Sequence, residues 1–221
     1  MKKQGFTAFD IDGTIWPLDI ENMWLQQLAA DGKAPDRIIE GNQQFLKTHA
    51  EGKFDENGYL DFFLNHFRGW NIARLRDFSD TVFQKVAKPG FYQEDLSIIK
   101  QMKIKGEFIF LLTAANNIAA APFGKYLGVD AVIATELEFD SNGQFTGKII
   151  EPYCYRQGKI IKSRDLCAKH GFSLEEGTYF GDSISDIPML ECVNRAIVIN
   201  PVVELEEYAR ARKWEIMYWN D

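Results

Sequence analysis

The sequence is poor in cysteine. Its 221 residues include only three, Cys154, Cys167 and Cys192, and no two of them form a Cys-x-x-Cys pair. An odd number at such spacings argues for reduced thiols rather than a framework of disulfides. Because reduced thiols are typical of the cytoplasm, we expect a cytoplasmic protein.

Long apolar runs and positive charge are also scarce. No segment approaches the roughly 18 apolar residues that a membrane span requires, and the run before Asp10 is too short for a secretory signal. The net charge of −7 argues against a nucleic-acid or anionic-membrane partner. A phosphorylated substrate would therefore need local positive charge from a metal ion or a lysine. No pattern indicates an oligomeric state.

Two carboxylates follow the first apolar run. The segment from Gly5 to Thr14 reads Gly-Phe-Thr-Ala-Phe-Asp-Ile-Asp-Gly-Thr, which predicts a buried strand with Asp10 and Asp12 at its ligand-binding end. Gly13 permits a turn that brings the carboxylates together, and a divalent cation would relieve their repulsion. Asp10 could then attack phosphorus while Asp12 transfers protons. The alternative is an ordinary turn, since Asp-Gly pairs are common in turns.

The apolar residues after this strand follow helical spacing. Phe63 and Phe67, for example, lie one turn apart on the same face of such a helix. We predict an all-helical insert over residues 16–88 and an α/β domain formed by residues 1–15 and 89–221. The aromatic residues of the insert are more typical of a helix-bundle core than of a ligand cage.

The second half of the chain alternates short apolar strands with helices. Strands are predicted at 108–112, 131–134 and 196–199, a hairpin at 137–146, and a helix at 91–105. Such alternation predicts a doubly wound, mainly parallel α/β sheet.

Polar groups mark several element ends in this half. Thr113 follows an apolar strand, Lys159 opens a helix, and strand 178–180 runs into Asp182 and Asp186. With the first two aspartates, the last two would form an oxygen-rich cluster suited to Mg²⁺. Each group also has a structural alternative: Thr113 or Asp186 as a helix N-cap, and Lys159 as an exposed side chain.

Four motifs thus occur in a fixed order along the chain. They are Asp10-x-Asp12-Gly-Thr14, Thr113 after an apolar strand, Lys159 opening a helix, and Gly-Asp182-Ser-x-x-Asp186. The set resembles the haloacid dehalogenase (HAD) superfamily of hydrolases, most closely its phosphoserine-phosphatase-like branch, subfamily IB. The resemblance covers nearly the whole chain. It implies a HAD-like Rossmannoid core with an inserted helical cap, and a Mg²⁺-dependent phosphatase that hydrolyses a small phosphorylated metabolite.

The resemblance also implies roles for the acidic residues. Asp10 would be the nucleophile, which forms an aspartyl phosphate, and a metal ligand. Asp12 would be the general acid and base, and would bind the metal through its backbone carbonyl. Asp182 would be the second side-chain metal ligand, and Asp186 would orient the site.

The phosphoryl group and the rest of the substrate would have separate partners. By the same resemblance, Thr113, Ala114 and Lys159 would hold the phosphoryl oxygens. Asp19 lies near the position of a carboxylate in the cap that binds a substrate amine, and Arg68, Arg74 and Arg76 are candidates for an arginine that binds a substrate carboxylate. Phosphoserine phosphatases have Ser-Gly-Gly where this chain has Thr113-Ala-Ala, which argues against phosphoserine as the substrate.

Other functions remain as alternatives. A related hydrolase could act on a lipid head-group phosphate. A receiver-type signalling protein also gathers aspartates, Mg²⁺, Thr and Lys, but it is shorter and lacks the helical insert. A dehalogenase has no need of Asp12, and a binding protein without catalysis would lack motif residues that this chain retains.

Overall fold

The computed structural model describes residues 5–50 and 53–219. In this part of the chain, the main structure is a seven-stranded sheet in the order β4-β3-β2-β1-β5-β6-β7. All neighbouring strands are parallel except β3 and β4. The strands are β1 Phe6–Phe9, β2 Phe108–Asn116, β3 Ala131–Phe139, β4 Phe145–Ile150, β5 Thr178–Gly181, β6 Arg195–Ile199 and β7 Glu215–Met217.

Helices cover both faces of this sheet. Residues of β1 contribute alternately to two buried clusters, with Phe9 in one and Phe6 and Ala8 in the other. The doubly wound, mainly parallel α/β fold is therefore confirmed. The helices are α1 Ile20–Ala30, α2 Arg37–Ala50, α3 Glu56–Asn65, α4 Ile72–Val82, α5 Gln93–Ile104, α6 Asn117–Leu127, α7 Gln157–His170, α8 Ile187–Leu190 and α9 Val203–Arg212.

The first four helices all lie between β1 and α5 in the sequence. Their aromatic side chains pack on one another, as in Trp24 with Phe67 and Phe78 at centroid distances of 5.1 and 5.3 Å. The helices share one apolar cluster with the sheet residues Phe9 and Ile109. The helical insert is thus observed, while its boundaries at residues 16 and 88 remain a prediction.

Three predicted elements have different boundaries in the structure. β2 continues past residue 112 because its pairing with β3 resumes, after a register shift, at Asn116 opposite Thr135. β3 runs unbroken from 131 to 139, since it pairs with β2 up to Thr135 and with β4 from Glu136 onwards. The helix expected at residue 91 begins at Gln93.

Among the described residues, no helix has both the length and the apolar character needed to cross a membrane.

Candidate active site

Asp10 lies where β1 ends at the carboxyl edge of the sheet. Its backbone N–H donates to the Phe180 carbonyl at 2.9 Å, so pairing with β5 extends one residue beyond the strand. The side chain is buried, and its Oδ1 accepts no well-directed hydrogen bond although Lys159 Nζ lies 3.1 Å away. A buried oxygen of this kind calls for a further partner, such as a bound cation.

The turn after Asp10 brings Asp182 against the first motif. Gly13 has φ +75°, and a Cβ on it would lie 2.1 Å from Asp182 Oδ2. Glycine is the residue that combines this backbone conformation with so close an approach. Thr14 donates its hydroxyl to Asp182 Oδ1 at 3.0 Å. Gly13 and Thr14 therefore hold the carboxylate of Asp182, which is far away in the sequence, beside the first motif.

Lys159 lies between the carboxylates of Asp10 and Asp186. Its Nζ lies 2.7 Å from Asp186 Oδ1 and 3.1 Å from Asp10 Oδ1, and it donates to the Tyr179 hydroxyl at 3.1 Å. Tyr179 in turn donates to Asp186 Oδ1 at 2.6 Å. Lys159 is only 1% exposed and Asp186 is fully buried. The alternative of an exposed lysine is therefore wrong.

The charges in this cluster are not balanced by the protein itself. Burial raises the pKa of Asp10 to about 7, against the opposing effect of Lys159. Burial and the charges of Asp186 and Asp10 raise the pKa of Asp182 well above its usual range. Burial also opposes ionisation of Asp186, but the Lys159 ammonium and several hydrogen bonds hold its pKa below the usual value. The single positive charge of Lys159 thus faces three carboxyl groups, those of Asp10, Asp182 and Asp186.

The acidic cluster has the composition of a site for a hard divalent cation. One carboxylate oxygen from each of Asp10, Asp182 and Asp186 lies within 4.8 Å of the others. Both oxygens of Asp186 already accept hydrogen bonds. Oδ1 accepts from Lys159 and Tyr179, and Oδ2 accepts from the N–H groups of Asp182 and Ser183 at 3.3 and 3.2 Å. Asp10 and Asp182 are therefore better placed as ligands, and a hard cation fits such carboxylate oxygens. Asp186 does not cap α8 with its side chain.

Asp12 faces the same cavity from the other side of the turn. Its Oδ1 accepts from the Ile20 N–H at 2.7 Å, and its Oδ2 accepts from the Thr113 hydroxyl at 3.3 Å. Burial, followed by the charges of Asp19 and Asp10, raises the pKa of Asp12 well above its usual range. A carboxyl group whose pKa is raised holds its proton more readily and is suited to act as a general acid.

Thr113 and Ala114 lie inside β2 rather than at a helix start. Thr113 Oγ1 accepts from the Ala115 N–H at 3.1 Å, and the Ala114 carbonyl accepts from the Thr135 hydroxyl at 2.6 Å. Both residues line the cavity beside Asp10 and Asp12. Asn116 caps α6 instead, so the alternative of Thr113 as an N-cap is wrong.

The predicted substrate residues lie in different places. Asp19 lines the cavity and caps α1, where its Oδ1 accepts from the Asn22 N–H at 2.6 Å. Arg68 is exposed, packs near Gly147, and is not among the residues that line this cavity. Arg74 and Arg76 also lie outside the cavity. The structure therefore places Asp19 at the site and the three arginines away from it.

A second buried network was not visible in the sequence. Glu21 accepts from Tyr59 Oη at 2.9 Å and from the backbone and side-chain N–H groups of Asn116 at 3.1 and 3.0 Å. The three residues belong to α1, to α3 and to the end of β2. Glu21 therefore ties the helical segment to the sheet beside the cavity. Its place in the first turn of α1 was the only local signal.

This network makes stability depend on pH. Burial raises the pKa of Glu21 to about 7 from 4.5, so the folded protein retains a proton that the unfolded chain releases. The contribution of protonated Glu21 to the free energy of unfolding is present at low pH and is lost as pH rises through 7. We expect Glu21→Gln to remove up to roughly 3 kcal/mol of the fall in unfolding free energy between pH 5 and pH 8. Urea unfolding of both proteins at the two pH values measures this difference. An unchanged slope in the variant would contradict the assigned role of Glu21.

The fold and site together define a class of protein. A parallel α/β sheet carries aspartates from two adjacent strand ends, with a buried ammonium and a hydroxyl, around one cavity. Such an arrangement of carboxylates, ammonium and hydroxyl is typical of a hydrolase that acts on an anionic group.

The family follows from comparison with known proteins. Residues 7–191 match the family model of haloacid dehalogenase-like hydrolases, and the chain belongs to this family. A histidinol-phosphatase from Neisseria meningitidis serogroup C is 26% identical over 218 residues, which are 97% of this chain and 98% of that protein. A phosphoserine phosphatase from Streptococcus thermophilus is 25% identical over 206 residues, 92% of this chain and 88% of that one.

A solved structure shares nearly the whole fold. A Bordetella pertussis protein of unknown function superposes with a TM-score of 0.88 at 27% identity, covering 97% of this chain and 98% of that one. The predicted resemblance to the phosphoserine-phosphatase-like branch is confirmed by these relatives. They also support the predicted enzyme class, an HAD-type phosphoric monoester hydrolase.

Proposed function

We propose that this enzyme is a Mg²⁺-dependent phosphatase that hydrolyses a small phosphomonoester through an aspartyl phosphate on Asp10. One observation carries the proposal: Asp10 and Asp182, distant in sequence, lie with Lys159 and Thr113 around one cavity. The names of two relatives, a histidinol-phosphatase and a phosphoserine phosphatase, extend to this chain the expectation of a small phosphorylated metabolite.

The metal ligands we propose are the side chains of Asp10 and Asp182 and the backbone carbonyl of Asp12. The buried Asp10 Oδ1, which accepts no well-directed hydrogen bond, and the unbalanced charge of the cluster support this assignment. When bound, Mg²⁺ would offset the negative charge of the carboxylates and of the phosphoryl oxygens.

Asp10 would perform the first chemical step. Its carboxylate oxygen attacks phosphorus, the bond from phosphorus to the ester oxygen breaks, and Asp12 gives its proton to the departing alcohol. The raised pKa of Asp12 supports this role, because its carboxyl group must arrive protonated.

Water would complete the reaction. Asp12, now ionised, takes a proton from the water that attacks the phosphorus of the aspartyl phosphate. Inorganic phosphate leaves and the Asp10 carboxylate is restored. Thr113, Ala114 and Lys159 would hold the phosphoryl oxygens through both steps, with the Lys159 ammonium countering their charge.

The helical segment would act as the cap of this site. Residues 16–88 contribute Asp19, Phe45 and Tyr59 to the cavity, whereas residues 1–15 and 89–221 contribute the four motifs. Closure of the segment over a bound ester would exclude bulk water during the reaction.

Removal of the metal tests the proposal directly. We expect exhaustive chelation to lower kcat on p-nitrophenyl phosphate by at least about 100-fold, and added Mg²⁺ to restore it. Ca²⁺ should restore far less, because it favours a larger and looser set of ligands than Mg²⁺. Full activity after chelation, checked by elemental analysis of the protein, would remove the metal from the mechanism.

A further inference from the structure

The part of β2 that would hold the phosphoryl oxygens has little support from the neighbouring strands. This part is residues 113–115, which we call the phosphoryl segment. The regular pairing of β2 with β1 ends at Leu111. The pairing of β2 with β3 is interrupted between Leu112 and Asn116, where the register shifts. Because residues at such a shift leave the regular ladder, the sheet alone does not fix the position of the segment.

A carboxyl group from α1 holds the end of the phosphoryl segment. Glu21 Oε1 accepts from the backbone N–H and from the side-chain amide of Asn116, at 3.1 and 3.0 Å. Both residues are buried, so water competes little for these bonds. Because hydrogen bonds are directional, two of them to one residue fix both the position and the direction of the chain at that point.

The first turn of α1 also holds the general acid of the proposed mechanism. The N–H of Ile20, the residue before Glu21, donates to Asp12 Oδ1 at 2.7 Å. The Thr113 hydroxyl donates to the other oxygen of Asp12 at 3.3 Å. Asp12 and the phosphoryl segment are thus attached to successive residues of one helix, and α1 sets the distance between them.

The oxygens of Glu21 are both engaged within the protein, although the residue lines the cavity. Oε1 bonds to Asn116, and Oε2 accepts from Tyr59 Oη in α3 at 2.9 Å. A substrate group could reach the carboxyl only by displacing one of these partners, which would leave a buried polar group unpaired. The contacts of Glu21 therefore indicate that it orients other residues rather than binding substrate.

We propose that Glu21 is a positioning residue for the phosphatase reaction, which holds the phosphoryl segment in place through Asn116 while Tyr59 orients its carboxyl group. The proposal rests on the phosphatase function proposed above and adds to that site a residue outside the four motifs. A misplacement of about 1 Å can lower an enzymatic rate by about 100-fold. A small movement of the segment would therefore be enough to impair the reaction.

Removing the acceptor oxygens of Glu21 tests the proposal. Glu21→Leu keeps much of the side-chain volume but leaves both Asn116 donors unpaired. We expect kcat on p-nitrophenyl phosphate to fall by about 10- to 100-fold, and the inhibition constant Ki of inorganic phosphate to rise by about tenfold or more. Because inorganic phosphate occupies only the phosphoryl site, its Ki reports on the segment and not on the rest of the cavity.

The conservative variant should rescue the enzyme. Glu21→Gln keeps an oxygen that accepts from Asn116, and its amide N–H can donate to Tyr59 Oη. It should therefore recover most of the loss in kcat and in phosphate affinity that Glu21→Leu shows. Equal damage in both variants would mean that the ionisable carboxyl group matters rather than the position that it fixes, and would overturn the proposal.

A milder variant tests the orienting bond. Tyr59→Phe removes only the hydroxyl group, and should raise the Ki of phosphate by about threefold. Adding it to Glu21→Leu should have no further effect on this Ki, because Tyr59 acts through Glu21. If Glu21→Leu does not fold, Tyr59→Phe alone decides, and an unchanged Ki would overturn the proposal.

The matched control is a second buried hydrogen bond between the helical segment and the α/β domain. The Ser79 hydroxyl in α4 donates to the Ile118 carbonyl in α6 at 2.8 Å, and neither residue lines the cavity. Ser79→Ala should lower the resistance of the fold to urea but leave the Ki of phosphate unchanged. A purely structural effect reduces the amount of folded enzyme, and hence the rate, without altering this constant.

The outcomes separate this inference from the proposed function. An active wild type together with an unchanged Ki in folded Glu21→Leu would overturn the role of Glu21 while the phosphatase stands. A rise in Ki in Ser79→Ala as large as that in Glu21→Leu would also overturn it, because the effect would then not be specific to the segment. Failure of the wild type to hydrolyse p-nitrophenyl phosphate in the presence of Mg²⁺ would overturn both.

Discussion

Replacing Asp10 with asparagine should abolish turnover. We expect kcat on p-nitrophenyl phosphate to fall by at least about 10⁴-fold, because the amide oxygen of asparagine is a poor nucleophile and no other group occupies its place. Asparagine has nearly the same shape, and the 2.7 Å contact between Lys159 and Asp186 does not involve residue 10. The loss should therefore be chemical rather than structural, with a thermal midpoint close to that of the wild type.

The nature of the loss can be checked independently of rate. After rapid acid quenching, the wild type incubated with substrate should carry one acid-stable phosphoryl group that hydroxylamine removes, and Asp10→Asn should carry none. Asp31→Asn, an aspartate far from the cavity, serves as the matched control and should retain wild-type activity. If Asp10→Asn remained within about tenfold of the wild type, Asp10 would not be the nucleophile.

The convergence of the motifs was predictable because of one property of parallel sheets. Strands that run in the same direction present their carboxyl ends at one edge, so polar groups after β1 and β5 and near the end of β2 had to lie at the same edge. What the sequence did not contain was the strand order. The pairing of β1 with β5 and β2 joins segments more than 90 residues apart, and it is this pairing that makes Asp10 and Asp182 neighbours.

The placement of Thr113 shows where local reasoning fails. The apolar run ends at Leu112, and a hydroxyl there suggested the end of a strand and the start of a helix. The strand instead continues to Asn116 because β3 pairs with it again after the register shift. A tertiary contact thus overrides the local pattern, and it places Thr113 on a rigid strand beside Asp12.

The aromatic residues that line the cavity could not be predicted from the sequence, for a related reason. Tyr153 and Tyr155 follow β4, whereas Phe54 and Tyr59 belong to the helical segment some 95 residues earlier. No local pattern relates the two groups, and aromatic residues of the helical segment were interpreted as core. Phe63 is indeed buried in that core, but Tyr59 both packs there and lines the cavity.

Replacing Lys159 with methionine should damage stability and catalysis together. The ammonium is buried between Asp10 and Asp186, and burial alone would lower its pKa, but the two carboxylates raise it. Methionine fills a similar volume yet leaves both carboxylates without their cation. Breaking a buried ion pair from one side costs about 3–5 kcal/mol, which for a chain of this length lowers the thermal midpoint by roughly 6–20 °C.

The matched control lies one turn further along the same helix. Lys162 pairs with Glu136 at 3.2 Å, and the Glu136 side chain is 54% exposed. Lys162→Met should therefore change the unfolding free energy by about 1 kcal/mol or less and leave kcat unaltered. Urea unfolding of the two variants at pH 7 compares a buried cation with a more exposed one in the same secondary structure. Equal effects would mean that Lys159 does not hold the two motifs together, because the carboxylate partner of Lys162 is largely exposed and loses little when its cation is removed.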